Sequence, residues 1–456
     1  MTAQLDEQFS SAQVSRDPAM LEAYGQDWTR IAAPCPSAVV FPQSVEEVQA
    51  LVRLARRDRL ALVPSGGRTG LSGGAVAARG EVVVSFDKLN RILDFNGSDQ
   101  LVSCEAGVVT QTLQEFAAER QLFYPVDFAS SGSSQLGGNI ATNAGGIKVI
   151  RYGLTRDWVA GLRVVTGTGE LLALNQGLIK NATGYDLRHL LIGSEGTLGL
   201  IVEADMRLAP APAPQQVMVL GVTAAPDLLA ILRAFQQRLT LSAFEFFSDL
   251  CLEKVTAHRQ LARPLTDSAP FYALVEYDEP EADQALEVFE ALLHEGLVTD
   301  GVISQSGQQA AALWALREGI SESIAPELPY KNDLAVRVSQ VPEFLAEVDA
   351  LVQANYPDFE VCWYGHIGDG NLHLNILKPA GLDKEAFFER CHQLSPRIFA
   401  AVAARAGSIS AEHGVGLLKQ PFLEYSRGPE ELRLMQGLKA VFDPDQILNP
   451  GKMLPG

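Results

Sequence analysis

The chain has 456 residues, 47% of them hydrophobic and 20% charged, which is ordinary globular composition with room for two or three domains. Its 36 basic and 55 acidic residues leave a net charge of −19, which argues against nucleic acid or an anionic membrane surface as a partner. Five cysteines, odd in number and without CxxC spacing, read as free thiols in a reducing compartment. No apolar run approaches the roughly 20 residues of a membrane span, and the N-terminus lacks a targeting pattern, so a cytoplasmic protein is expected.

Residues 1–30 read as a helical lead-in. Ala38–Phe41 then forms a strand, and Ser44 followed by Glu46 and Glu47 opens an amphipathic helix running to Arg57. A second strand, Leu60–Val63, leads into Pro64-Ser-Gly-Gly-Arg-Thr-Gly-Leu-Ser-Gly-Gly74. This loop matches neither the Rossmann fingerprint nor the P-loop, yet its unshielded backbone N–H groups suit phosphate oxygens. Alone, such a loop is more often a flexible surface loop than a ligand site. Strands at Glu81–Phe86 and Leu101–Ala106 and a helix to Arg120 separate it from a second tract of small residues, Pro125–Gly146. Buried-type residues Leu136, Ile140 and Ile147 set that tract apart from a linker.

Further strands follow at Leu162–Val165 and Leu171–Leu174, then Gly193-Ser-Glu-Gly-Thr-Leu-Gly-Leu-Ile201. In this order the three small-residue motifs resemble the FAD-binding domain of the vanillyl-alcohol oxidase/PCMH flavoprotein superfamily. The resemblance implies an α+β fold with a two-subdomain FAD-binding domain over residues 1–210. It also implies FAD contacts from Pro64, Ser65, Gly66, Gly67, Arg68, Thr69, Gly70 and Leu71. The later motifs would add Ser130, Ser133, Gly137, Gly138, Asn139, Thr142, Asn143, Gly146, Glu195, Gly196, Ile201 and Asn449. No histidine or cysteine stands between Pro64 and Gly74, so the expected FAD is non-covalent.

The Pro-rich stretch Leu208–Gln215 marks a domain boundary. Beyond it, strands near 217–222, 244–247, 271–277 and 334–338 alternate with helices near 225–239, 281–294, 308–326 and 342–354. The pattern suggests an antiparallel sheet with helices on one face, forming a substrate domain over residues 211–410. Within it, Trp363-Tyr-Gly-His-Ile-Gly-Asp-Gly-Asn-Leu-His-Leu-Asn-Ile376 reads as a hairpin turning at Asp369-Gly370, with His366 directly opposite His373. Tyr364, His366, His373 and Asn375 would then share one face. Cross-strand histidines usually just stack, but three of only seven histidines sit here and in Ser410-Ala-Glu-His-Gly-Val-Gly416. Two histidines with Glu412 would leave a coordination position open, as in catalytic metal sites. Zinc, manganese and cobalt all suit those ligands. A helix near 383–405, the Glu412 loop and a helix near 429–441 complete the chain; residues 411–456 are expected to return to the flavin site.

The second half also resembles the FAD-dependent D-2-hydroxy acid dehydrogenases, through the hairpin, the Glu412-His413 loop, Trp314-Ala-Leu-Arg-Glu318 and Tyr330-Lys-Asn-Asp-Leu334. The resemblance covers nearly the whole chain. It implies zinc held by His366, His373 and Glu412, and His413 as catalytic base. It further implies a substrate carboxylate gripped by Arg317, Ser321 and Lys331, with Asn375 and His413 at the reacting end. Serine stands at 321 where the family usually has threonine. The implied substrate is D-2-hydroxyglutarate, with D-malate beside it, and the implied electron acceptor is an electron-transfer flavoprotein or a quinone. A homodimer is one admissible assembly. D-lactate or glycolate oxidation is the alternative within the class, and a flavin subunit that only relays electrons is the alternative outside it.

Overall fold

The computed structural model describes residues 3–455, which divide into two compact units. One comprises residues 3–145, 153–211 and 412–455, and the other residues 146–152 and 212–411. The short excursion 146–152 is held by charge: Lys148 pairs with Glu276, and Arg151 reaches Asp278 at 2.6 Å and Ser242 at 3.0 Å.

The first unit holds two sheets. Strands β1 (Ala38–Val40), β2 (Leu62–Ser65) and β3 (Val82–Ser85) are parallel in the order β1-β3-β2, and Val14–Ser15 adds a short antiparallel bridge to β1. Helix α1 (Val45–Asp58) crosses between β1 and β2. Ser44 caps it as expected, its Oγ accepting from the Glu47 amide at 3.3 Å, and six of its apolar residues are buried. The second sheet is antiparallel, with β4 (Ile92–Asn96), β5 (Leu101–Glu105), β6 (Val159–Thr166), β7 (Leu171–Leu174) and β8 (Gly199–Arg207) in the order β4-β5-β8-β6-β7. Helix α2 (Leu136–Thr142) supplies Leu136 and Ile140 to the core beneath it.

The C-terminal segment is stitched into this unit by backbone bonds. The Leu62 amide donates to Ile447 and the Asn449 amide to the Leu62 carbonyl, both at 2.7 Å. Buried Lys439 gives its protons to Asp443 and to the carbonyls of Thr197 and Leu448, so all three of its donors are met.

The second unit is built on seven antiparallel strands: β9 (Gln215–Val222), β10 (Leu241–Ser248), β11 (Phe271–Asp278), β12 (Val298–Ile303), β13 (Tyr330–Ala335), β14 (Glu360–His366) and β15 (Asn371–Leu377). Their order is β12-β9-β11-β10-β14-β15-β13. Consecutive residues of β9 from Val217 to Leu220 are all buried, so the sheet is covered on both faces and not only on one. Helices α3 (Asp249–Arg259) and α4 (Gly307–Glu318) pack on the face that carries Val217, Ala243, Leu274 and Tyr364. The long helix expected over 308–326 breaks after Glu318 into shorter turns, and the strand expected near 334–338 lies earlier, at β13.

The hairpin register differs from the expected one by two residues. His366 pairs with Asn371, and Tyr364 pairs with His373. The connection is a four-residue loop, Ile367–Gly370, because only Gly370 takes a positive φ, +86°, whereas a two-residue turn would need it at Asp369 as well. The amides of Asp369 and Gly370 both donate to the His366 carbonyl at 3.1 Å. A two-residue shift preserves the side-chain alternation, so His366, His373 and Asn375 keep a common face. A Cβ on Gly370 would lie 2.1 Å from the Val336 carbonyl oxygen. Gly370→Ala should therefore destabilise this unit by about 2 kcal/mol or more, read as a lower urea midpoint; an unchanged midpoint would contradict the loop geometry.

Candidate active site

The chemical face of the second sheet is assembled by strand pairing alone. Phe247 pairs with Tyr364, Tyr364 with His373, and His373 with Asp333, so one row of side chains crosses four neighbouring strands. One step along β10, Glu245 falls beside His366. Its Oε1 lies 2.8 Å from His366 Nδ1 and its Oε2 lies 2.8 Å from Arg317 Nη2. Glu245 is 1% exposed, so it needs both cations or donors to tolerate burial. Sequence reading missed it, since an acid within Leu241-Ser-Ala-Phe-Glu-Phe-Phe247 resembles the outward residue of an alternating strand.

Arg317 projects from α4 and lies over the Tyr364 ring, 4.7 Å from its centroid. Its contact with Glu245 is an ion pair without hydrogen-bond alignment. Nε and Nη2, both buried, make no hydrogen bond among the described residues. A guanidinium with unmet donors in a buried site suits a carboxylate that binds bidentately. Lys331 Nζ donates to Ser321 Oγ at 2.9 Å, and burial pushes the lysine below its ordinary pKa. Tyr364 is pushed up to about 12 by burial, while Arg317 and hydrogen bonds with Ser321 and Asn375 pull the other way. Arg317, Ser321 and Asn375, expected to bind substrate, are thus gathered around one tyrosine that sequence reading left without a role, and Lys331 joins them through Ser321. Asn375 is 1% exposed and also donates to the His373 carbonyl at 3.2 Å.

The two histidine rings lie edge to face with centroids 5.3 Å apart. Glu245 at Nδ1 fixes the orientation of His366 in the way carboxylates orient metal-ligating histidines. Asp333 Oδ1 stands 3.8 Å from His373 Nδ1, and its Oδ2 accepts from the Ala411 amide at 3.0 Å. The chain continues from Ala411 directly into Glu412 and His413, whose carboxylate and ring approach to 3.6 Å. Imidazoles with neighbouring carboxylates are a donor set that suits a divalent cation.

In the first unit, a groove runs between the two glycine tracts. Pro64, Gly66–Gly70, Gly137–Asn139, Thr142, Glu195, Gly196 and Ile201 line it, as do Asp27, Phe86 and Gln135, which sequence reading missed. Ser65, Leu71, Ser130, Ser133, Asn143, Gly146 and Asn449 do not line it. Asn143 caps α2 at φ +50°, its Oδ1 accepting from the Arg156 amide, and Asn449 donates to the carbonyls of Gly74 and Glu195. A Cβ on Gly67 would lie 2.1 Å from the Ser133 carbonyl, whereas one on Gly138 would enter open space. One buried oxygen of each of Asp27 and Gln135 makes no hydrogen bond among the described residues. A backbone-walled groove with unmet polar atoms fits a long polar ligand such as a dinucleotide.

Glu195 sits in this groove at φ +50° and is 6% exposed. Burial raises its pKa from the ordinary 4.5 to about 7, against the pull of hydrogen bonds from the Val415 and Gly416 amides. The folded chain therefore holds the proton more tightly than the unfolded chain. The stability this contributes is complete below about pH 4.5 and is lost as pH rises through about 7. Relative to Glu195→Gln, the wild type should lose urea stability between pH 4.5 and 7.5 and run parallel above that range; parallel curves throughout would contradict the shift.

Comparison with known proteins gives the family. Residues 211–453 match the family described as FAD linked oxidases, C-terminal domain, and residues 36–175 match an FAD binding domain. D-2-hydroxyglutarate dehydrogenase of Stutzerimonas stutzeri is 58% identical over 443 residues, 96% of each chain. The protein of that name from Xanthomonas citri is 53% identical over 98% of this chain and 96% of its own. The mitochondrial D-2-hydroxyglutarate dehydrogenase of Rattus norvegicus is 38% identical over 97% of this chain and 82% of its own. Among solved structures, p-cresol methylhydroxylase superposes with a TM-score of 0.78 at 15% identity, covering 98% of this chain and 95% of its own. Alkyldihydroxyacetonephosphate synthase superposes at 0.74 and 18%, covering 98% and 84%; both share the fold. The chain belongs to the FAD-linked oxidase family and is an FAD-dependent dehydrogenase within it.

Proposed function

We propose that this chain oxidises D-2-hydroxyglutarate, and D-malate beside it, to the 2-oxo acid, with FAD bound non-covalently. The observation that carries the proposal is Arg317: a buried guanidinium with unmet donors, beside Lys331, in a chain of net charge −19. A second substrate carboxylate would satisfy the guanidinium donors that Glu245 leaves without a hydrogen bond, which a monocarboxylate held at the reacting end would not. The names of the relatives at 58%, 53% and 38% identity support the same substrate.

In this reading His366, His373 and Glu412 hold a divalent metal, with zinc the expected ion. Bound there, the cation would acidify the substrate hydroxyl, and FAD would accept the hydride from the carbon that bears it. Arg317, Ser321 and Lys331 hold the distal carboxylate and Asn375 the near one. His413 takes the hydroxyl proton, a task suited to a group that titrates near neutrality. Tyr364, kept neutral by burial, lies under the Arg317 guanidinium and helps to orient it. The electrons then pass to an electron-transfer flavoprotein or a quinone. A cytoplasmic location fits the unpaired cysteines, and no helix among the described residues is long and apolar enough to cross a membrane.

Arg317→Ala should raise KM for D-2-hydroxyglutarate by about 10- to 100-fold, the worth of a charge-assisted hydrogen bond, while changing KM for D-lactate little. Equal losses on both would favour a D-lactate or glycolate dehydrogenase. Removing metal with a chelator should abolish turnover while flavin absorbance persists, and added Zn²⁺ should restore it. Unchanged turnover in demonstrably metal-free protein would overturn the metal's role.

A further inference from the structure

The Glu412-His413 segment has no regular secondary structure of its own, yet the backbone of residues 415–418 just after it is tied at each amide. The Val415 amide donates to Glu195 Oε1 at 2.7 Å and the Gly416 amide to Glu195 Oε2 at 2.8 Å. The next two amides, of Leu417 and Leu418, both donate to the Ser72 carbonyl at 3.0 Å. Four consecutive N–H groups thus end on two acceptors, one from each of two motifs that line the flavin groove.

Glycines make this approach possible. Gly414 (φ +82°) would place a Cβ 3.0 Å from the Glu195 carboxylate, and Gly416 (φ +49°) would place one 2.2 Å from the Ser72 carbonyl. Glu195 is itself pinned on three sides. Its amide donates to Ala141, its carbonyl accepts from Asn449, and its side chain holds residues 415 and 416. That many constraints explain why a non-glycine residue keeps a left-handed backbone here.

We propose that Glu195 is a positioning residue for the Glu412-His413 pair. Its carboxylate clamps the backbone immediately after them to the walls of the flavin groove, so the metal ligand and base inherit their placement from the cofactor-binding scaffold. This rests on the roles given above to Glu412 and His413. Glutamine at 195 can accept one of the two N–H bonds but turns its own amide N–H groups toward the other, whereas aspartate keeps both acceptors at shorter reach.

The test uses flavin-loaded wild type, Glu195→Gln and Glu195→Asp, with Zn²⁺ affinity measured against a chromophoric chelator and hydrogen exchange followed over residues 412–418. In E195Q, zinc affinity should fall about 10- to 100-fold, the range for losing a group that orients a ligand. Exchange at 415 and 416 should quicken while other loops of the unit stay as they were, and E195D should recover part of both. Flavin content divides the sample into loaded and unloaded protein, so a general loss of cofactor is scored apart. Wild-type zinc affinity and wild-type exchange in flavin-loaded E195Q would overturn the proposal. If wild type itself binds no zinc, the metal reading fails while the exchange measurement still decides the clamp. If E195Q does not fold, the wild-type amides decide it: protection at Val415 and Gly416 supports the clamp, and open-loop exchange there rejects it.

Discussion

The carboxylate of Glu245 is the constraint on which the candidate site in the sheet unit depends. Buried on a central strand, it touches His366 with one oxygen and Arg317 with the other. A carboxylate left alone at that depth would cost several kcal/mol, and removing one partner of such a pair typically costs about 3–5 kcal/mol. His366 and Arg317 are therefore not independent side chains that happen to be near each other. One acid fixes the orientation of His366 and of Arg317 relative to each other.

Sheet geometry supplies the rest of that face. Strand pairing across β10, β14, β15 and β13 brings Glu245, His366, His373 and Asp333 into adjacent rows without any loop. Sites built on strands hold their geometry more tightly than sites built on loops. The flavin unit works the opposite way: its groove is walled by glycine-rich backbone, where missing side chains leave room, and its order comes from hydrogen bonds that cross between loops. Lys439, Asn449 and Glu195 each bind two or more segments far apart in sequence.

Much of the fold was legible in the sequence because the relevant signals are local. Ser44 before a glutamate-rich first turn marks a helix start, and apolar runs broken by Gly and Pro mark the strands. The histidine hairpin was legible in its face but not in its register, since side-chain alternation survives a shift of two residues while the turn type depends on one φ angle at Asp369. Glu245 was not legible, because what makes a buried acid acceptable lies 72 and 121 residues further along the chain, in Arg317 and His366. The excursion of residues 146–152 into the second unit was hidden for the same reason. Lys148 and Arg151 find their acids more than 120 residues later. Among the expected flavin contacts, Asn143 and Asn449 also have structural tasks that their motifs did not announce: Asn143 caps a helix and Asn449 bridges two backbone segments.

The central claim is that the flavin takes hydride from a D-2-hydroxy dicarboxylate. It is tested most directly by mixing the purified holoprotein anaerobically with D- and L-2-hydroxyglutarate, D-malate and D-lactate while following flavin absorbance near 450 nm, where oxidised flavin absorbs. The account predicts rapid bleaching by D-2-hydroxyglutarate, slower bleaching by D-malate, and none by the L-enantiomer. Bleaching by D-lactate alone, or by none of the D-acids, would contradict it.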